Sequence, residues 1–398
     1  MEQDTLALKT ENGKRKHLLG IILLVGLFLP HLATPLLLVN PLMCLYLFFT
    51  EKRVQLPRSI KLLRIIFSAI IVLSTVLSIN YGTHDSNKYI LMGANMLLVM
   101  VCFPFMGGEI IPKVYYYIAL SFIILSQIVY LIGFEPLQVF FELVYPVKGE
   151  NDTRIFNYMK EHITFGGIFD YRLGGLFHNP NQASRYITSL VALFLVDHSK
   201  ERFVSVMRFM FFAFISVLLT GSRTGFVVLF VLGGYYLYKS ETISKQVRAG
   251  MYILLLFLFL PVFLLAASET IRGLNVAGGM SDSFVFKIQV FADYLGQPNS
   301  FLHLLIGYAD PDSFRPSDVS VIEIFDSEYG NMVYTYGFLG LIINIAFYLS
   351  CWRYTIRRGR IFYFMLLWYI TSTLLFSYRM CFIFMFMLSH IVSLDRKE

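Results

Sequence analysis

The stretch "RLGGLFHNPN", Arg172 to Asn181, sets a guanidinium, an imidazole, two asparagines and paired glycines directly before an apolar run. Further on, "LLTGSRTGF" holds Ser222 and Arg223 between Gly221 and Gly225 in a short turn joining two more apolar runs. Arginine's planar fork binds phosphate oxygens two at a time, and glycine lets a backbone approach a ligand or a neighbouring chain closely. Arg172 and Arg223, with His178, Asn179, Asn181, Arg185 and Ser222 around them, are therefore candidates to hold a diphosphate. The plainer reading is structural. Asn179-Pro180-Asn181 is a turn and helix-start signal, and arginines at a membrane border lie along lipid with their heads among phosphates. A third stretch, "FDSEYGNMVYTYGFLGLI", carries Asp326 and Glu328 ahead of another apolar run. Either carboxylate could serve as a general base on a hydroxyl if its surroundings tune it, and either also suits the positive end of a helix. The eight histidines are scattered, and Asp310 and Asp312 have too few acidic neighbours for a calcium loop. Neither a metal nor another cofactor is expected.

These residues must be positioned by elements built for lipid. Of the 398 residues, 57% are hydrophobic and 15% charged, against about 25% charged in soluble domains, and the mean hydropathy is +0.64. Continuous apolar runs near 20 residues recur, the length that crosses a bilayer core of about 30 Å. Continuous rather than alternating runs mean helices rather than a barrel. The four cysteines fall within apolar runs and imply no disulfide framework. The net charge of +7 reads as a topology signal rather than a nucleic-acid footprint.

The hydropathy predicts an all-α polytopic integral membrane protein, a single membrane domain over 1–398. Its helices fall near 18–33, 34–49, 62–79, 89–106, 114–133, 183–198, 203–219, 224–238, 249–267, 332–350, 361–376 and 379–393. The first follows Lys14-Arg15-Lys16 as an uncleaved signal anchor, and Pro30, Pro35 and Pro41 break the first pair into a hairpin. With twelve spans and both termini cytoplasmic, 22 of the 33 Lys and Arg residues lie inside, as the positive-inside rule requires. Two long extracytoplasmic loops result, 134–182 and 268–331. In the second, Phe284, Ile288, Phe291 and Leu295 recur at helical spacing, predicting an amphipathic helix on the membrane surface. The cations left outside oppose the charge bias, so their presence asks for an anionic partner.

Four segments in order resemble the O-antigen polymerase (Wzy) family, within the O-antigen ligase and polymerase superfamily. They are "RLGGLFHNPNQAS", "LLTGSRTGF", "HLLIGYADPD" at 303–312 and "DSEYGNMVYTYGFLG", within residues 165–342. The resemblance implies a GT-C-like glycosyltransferase without metal, in the bacterial cytoplasmic (inner) membrane. It would join undecaprenyl-diphosphate-linked oligosaccharide repeat units by inverting transfer, for O-antigen, lipopolysaccharide or capsule assembly. Donor and acceptor glycans, the lipid bilayer and a chain-length regulator protein are the implied partners. Carried over, Arg172 and Arg223 hold the diphosphate, and Asn179 and Asn181 shape the pocket. Where ligases of this superfamily have a histidine, this chain has Asp326, and Ser327 replaces the usual asparagine. The base stays open between Asp326, Glu328 and none. A ligase-type transferase and a lipid-linked oligosaccharide flippase are the alternatives. The missing histidine weighs against the first, and spans nearly free of central charges weigh against the second.

Overall fold

The computed structural model describes residues 16–26, 39–50, 56–81, 86–104, 109–144, 155–157, 171–177, 180–239, 244–253, 292, 295, 301–307, 327–355, 357–371, 375–376 and 378–394. They are almost entirely helical. Helices α1 (Lys16–Gly26), α2 (Val39–Thr50), α3 (Arg58–Tyr81) and α4 (Ser86–Cys102) come first. Then follow α5 (Lys113–Leu131), α6 (Glu135–Val144) and an antiparallel hairpin of β1 (Ile155–Asn157) and β2 (Tyr171–Leu173). After α7 (Pro180–His198), α8 (Phe203–Thr220) and α9 (Arg223–Lys239), residues 245–253 are again helical. The remainder is α10 (Phe301–Ile306), α11 (Glu328–Tyr354), a 3-10 helix (Gly359–Leu367), α12 (Trp368–Thr371) and α13 (Tyr378–Leu394). The chain divides into two compact units. One holds residues 1–39, 108–267 and 356–365, the other 40–107, 268–355 and 366–398.

In the first unit α7 is the axial helix: every residue from Ala183 to His198 is buried, with α5, α8 and α9 packed against it. One end of this bundle is pinned by a polar cluster. The Asp197 carboxylate accepts from the Ile111 N–H at 3.0 Å and the Tyr116 hydroxyl at 2.7 Å. His198 bridges the Ile111 carbonyl at 2.9 Å and Glu201 at 3.0 Å, and Lys113 reaches Glu201 at 2.9 Å. Against this cluster pack aromatic rings, Phe194 stacked on Phe209 at 4.1 Å and Tyr116 edge-on to Phe194 at 5.4 Å.

The second unit packs α3 against α4 and α11, with α10 on α11 and α13 on α4. Within α11 the helix breaks at Gly337, whose φ is 68°, and the Thr335 carbonyl beside the break accepts from the Ser74 hydroxyl of α3. Gly307, which closes α10 with φ 69°, lies so near that a Cβ on it would stand 2.4 Å from the Gly337 nitrogen. Only glycines permit this backbone-on-backbone crossing. It joins "HLLIGYADPD" to "YTYGFLG".

Four described helices are long and apolar enough to cross a membrane, Arg58–Ile79, Lys113–Leu131, Phe203–Thr220 and Glu328–Tyr354, with shorter apolar helices beside them. A bilayer is the environment such helices suit. Several expectations are corrected. Residues 134–182, expected as a loop, contain α6 and the short β1–β2 hairpin, within an architecture that is otherwise all-α as expected. Helix α7 is not among the four of spanning composition; sheltered by neighbours, it carries Arg185, Thr188, Ser189 and Asp197 inside the bundle. The single helix expected over 361–376 is instead 3-10 and then a short α-helix. Phe362, Met365 and Trp368 are all buried, a three-residue stripe that a 3-10 repeat aligns. The proline hairpin near 27–38 and most of the helices expected over 249–267 and 284–295 lie outside the described residues.

Replacing Asp197 by Ala should orphan two buried donors, at about 1–3 kcal/mol each, and a thermal melt of the purified chain should show the loss. Burial raises the Glu201 carboxyl's pKa, but the Lys113 hydrogen bond, the His198 and Lys113 charges and the Ser205 hydroxyl outweigh it and leave it below the ordinary value. A depressed folded pKa gives stability that is present above the unfolded value and lost as pH falls through the folded one. Melting temperature should therefore drop on acidification below the glutamate range, and Glu201→Gln should flatten that drop.

Candidate functional site

The site is built from one turn of α5. Ser126 and Gln127 are fully buried there. The Gln127 amide donates to the Ser216 carbonyl of α8 at 3.1 Å and the Leu173 carbonyl of β2 at 3.3 Å, and accepts the Ser216 hydroxyl at 2.7 Å. Ser126 accepts the Leu176 N–H at 3.2 Å. Gly175 sits above them with φ 61°, and a Cβ on it would lie 2.3 Å from the Ser126 hydroxyl. The second glycine of "RLGG" is thus explained by a turn pressed onto two polar side chains inside an apolar bundle.

That turn aims Arg172. On β2 it stands opposite Phe156, and its Nε donates to the Thr220 carbonyl at 3.1 Å while Nη2 donates to Asn181 Oδ1 at 2.8 Å. Thr220 ends α8 and Gly221 closes it with φ 59°; a Cβ on Gly221 would meet Arg172 Cγ at 3.1 Å. Arg172, Asn181 and the 220–223 corner therefore come together, joining two motifs nearly fifty residues apart. Ser222 is buried; its hydroxyl accepts the Gly225 N–H at 3.3 Å as the cap of α9, and its own N–H donates to Thr220 Oγ1 at 3.2 Å. Arg223 opens α9, half-buried. Gly225 lets α9 touch α7, since a Cβ there would overlap the Ser184 hydroxyl at 1.7 Å, the close approach that small residues give helices in lipid.

The other expected residues fall differently. Arg185, read as an outward cation at a helix end, is 4% exposed one turn inside α7, its Nε donating to the Asn181 carbonyl at 3.3 Å. Glu328, read as an acid facing solution just outside the membrane, is fully buried, and its carboxylate accepts the Leu375 N–H at 3.0 Å within the second unit. The start of α11 is capped by Ser327, which accepts the Gly330 N–H at 3.1 Å. Asp326, His178 and Asn179 lie outside the described residues. The start of α7 at Pro180 fits proline's preference for the first helical position. Among the described residues no group of three or more His, Cys, Asp or Glu could hold a metal.

Sequence reasoning passed over Ser126, Gln127, Ser216 and Thr220. For the first two a signal was present, a serine–glutamine pair inside the apolar run "FIILSQIVYL", where each polar group asks for a partner. The sequence matches no protein-family profile and no curated protein.

Replacing Gln127 by Leu should strand the Ser216 and Leu173 groups, costing about 1–3 kcal/mol for each group left unpaired. Gln127→Asn, shorter by one methylene, should recover only part of the melting temperature, because it reaches either carbonyl but not both.

Proposed function

We propose that this chain is a polysaccharide polymerase that joins undecaprenyl-diphosphate-linked oligosaccharide repeat units at the outer face of a bacterial cytoplasmic membrane. The observation that supports the reading is the corner in which Arg172, tied to Thr220 and Asn181, lies against Gly221 beside Arg223. Arg172 spends two donors on the protein and is thereby fixed in place. Arg223 adds its guanidinium where the first amides of α9 already favour an anion. Such a corner suits a diphosphate, and a lipid-linked one is the natural form for a ligand reaching helices of spanning length.

In the proposed reaction the acceptor's hydroxyl oxygen attacks the donor sugar's anomeric carbon. The bond from that carbon to the diphosphate oxygen breaks, its electron pair leaves with undecaprenyl diphosphate, and configuration inverts. Negative charge grows on the leaving oxygen, where preorganised cations are most effective. Arg223 is assigned that role and Arg172 the binding of the diphosphate. The hydroxyl proton needs an acceptor, and that role stays open between Asp326, Glu328 and none; the Glu328 carboxylate accepts the Leu375 N–H. Both termini cytoplasmic and a chain-length regulator as partner complete the reading.

The test is made in strains carrying Arg223→Ala or Arg172→Ala at matched protein level, with surface polysaccharide resolved on a gel. The expected result is collapse of the ladder to single repeat units still attached to their final acceptor. Loss of every surface unit would indicate a flippase or ligase instead, and an unchanged ladder would return both arginines to a structural role.

A further inference from the structure

Helix α6 is ten residues long, about 15 Å, half of a hydrocarbon core of about 30 Å, so it does not span. It is fixed to the end of α5. Gly133, with φ 67°, closes α5, and the Phe134 N–H donates to the Val129 carbonyl at 3.1 Å in the manner of a Schellman turn. The Gln138 side chain donates to the same carbonyl at 3.2 Å, and buried Phe141 packs on Phe122 at 5.9 Å and Tyr130 at 6.4 Å.

Yet this rigid element shows apolar side chains outward: Ile132 is 67% exposed, Phe134 47%, Leu137 38%, Val139 47% and Phe140 52%. At 100° per residue Leu137 and Phe140 fall on one face beside the buried Phe141, with Glu135 on the other. What covers that face follows from continuity. The exposed strip of α5, through Ile118, Leu125, Ile128 and Leu131, runs without interruption into Ile132 and Phe134, and α5 is one of the helices of spanning length. The lipid that covers α5 must cover its continuation.

We propose that α6 lies in the bilayer interface, its Leu137–Phe140 face in the acyl region and Glu135 toward water, as a ledge that fixes the depth of the end of α5. Because Ser126 and Gln127 of that same end hold the Arg172 turn, the ledge sets the arginine corner at head-group level. This last step rests on the diphosphate reading above; the placement of α6 does not.

The experiment uses the full chain in phosphatidylcholine nanodiscs, with a nitroxide at Leu137→Cys, Phe140→Cys or Glu135→Cys. The native cysteines are all buried, and the unsubstituted chain is the labelling control. Power saturation with oxygen and with a water-soluble nickel chelate should give oxygen-to-nickel ratios several-fold higher at 137 and 140 than at 135. High nickel accessibility at all three positions would place α6 in water and overturn the proposal. Low accessibility to both reagents at 137 and 140 would mean that protein, such as a second copy of the chain, covers the face, and would overturn it too. Phe140→Trp gives an independent check: its fluorescence should be quenched by brominated lipid beyond the unsubstituted chain, and equal quenching would count against the ledge. Neither readout depends on polysaccharide synthesis, so a failed ledge and a failed polymerase reading are distinguishable.

Discussion

A buried amide carries three partners at once. Gln127 sits in an otherwise apolar helix, where an unmatched polar group costs more than its mutual bonds return, and it is matched by the Ser216 hydroxyl, the Ser216 carbonyl and the Leu173 carbonyl. Satisfying that one side chain fixes α8 beside α5 and draws an extended strand of the first long loop into the bundle. The turn carrying Gly175 then has one place to sit, and Arg172 one direction to reach. The opposite end of the same bundle obeys the same rule, with Asp197 taking the Ile111 and Tyr116 donors. Between these polar ends the packing is apolar and aromatic, so the helices have their register set at both ends.

The axial position of α7 follows from this arrangement. A helix facing lipid has to be apolar, but one enclosed by three others does not, and α7 uses that freedom. Thr188 and Ser189 return their hydroxyls to carbonyls of the preceding turn, at 2.9 Å to Ser184 and 2.7 Å to Arg185, a pairing that keeps such residues quiet in apolar surroundings. Its small residues also admit α9 at Gly225. In the second unit the same economy appears at the break in α11, where the carbonyl of Thr335 is met by Ser74 and the glycine pair lets α10 cross without side chains between.

Much of this was legible in the chain. Apolar runs located most helices to within a few residues, as with α5, α8 and α13, because a spanning length and its flanking charges leave little choice. The glycines of all four motifs marked backbone approaches, though not which partner each would meet. The first and second motifs meet each other at Arg172 and Gly221, and the third and fourth at Gly307 and Gly337. The 3-10 segment and α6 were missed because their patterns are local variants of apolar helix that hydropathy alone does not separate. Arg185 and Glu328 were misread as surface charges, since a charged residue near the end of an apolar run looks the same whether it faces head groups or a neighbouring helix.

By itself, the sequence determined that the chain is helical and suited to a bilayer, and which side chains were unusual enough to need a reason, because both depend on residue type and period along one dimension. Only the tertiary structure decided which of those side chains are spent on holding the protein together. Ser222 and Glu328 are satisfied within the fold, and Arg172 is held at the corner that Arg223 completes. Apart from the local cap at Ser222, that division rests on partners nearly fifty residues apart, and hydrogen bonds of about 3 Å are a property of where helices cross rather than of any stretch read alone.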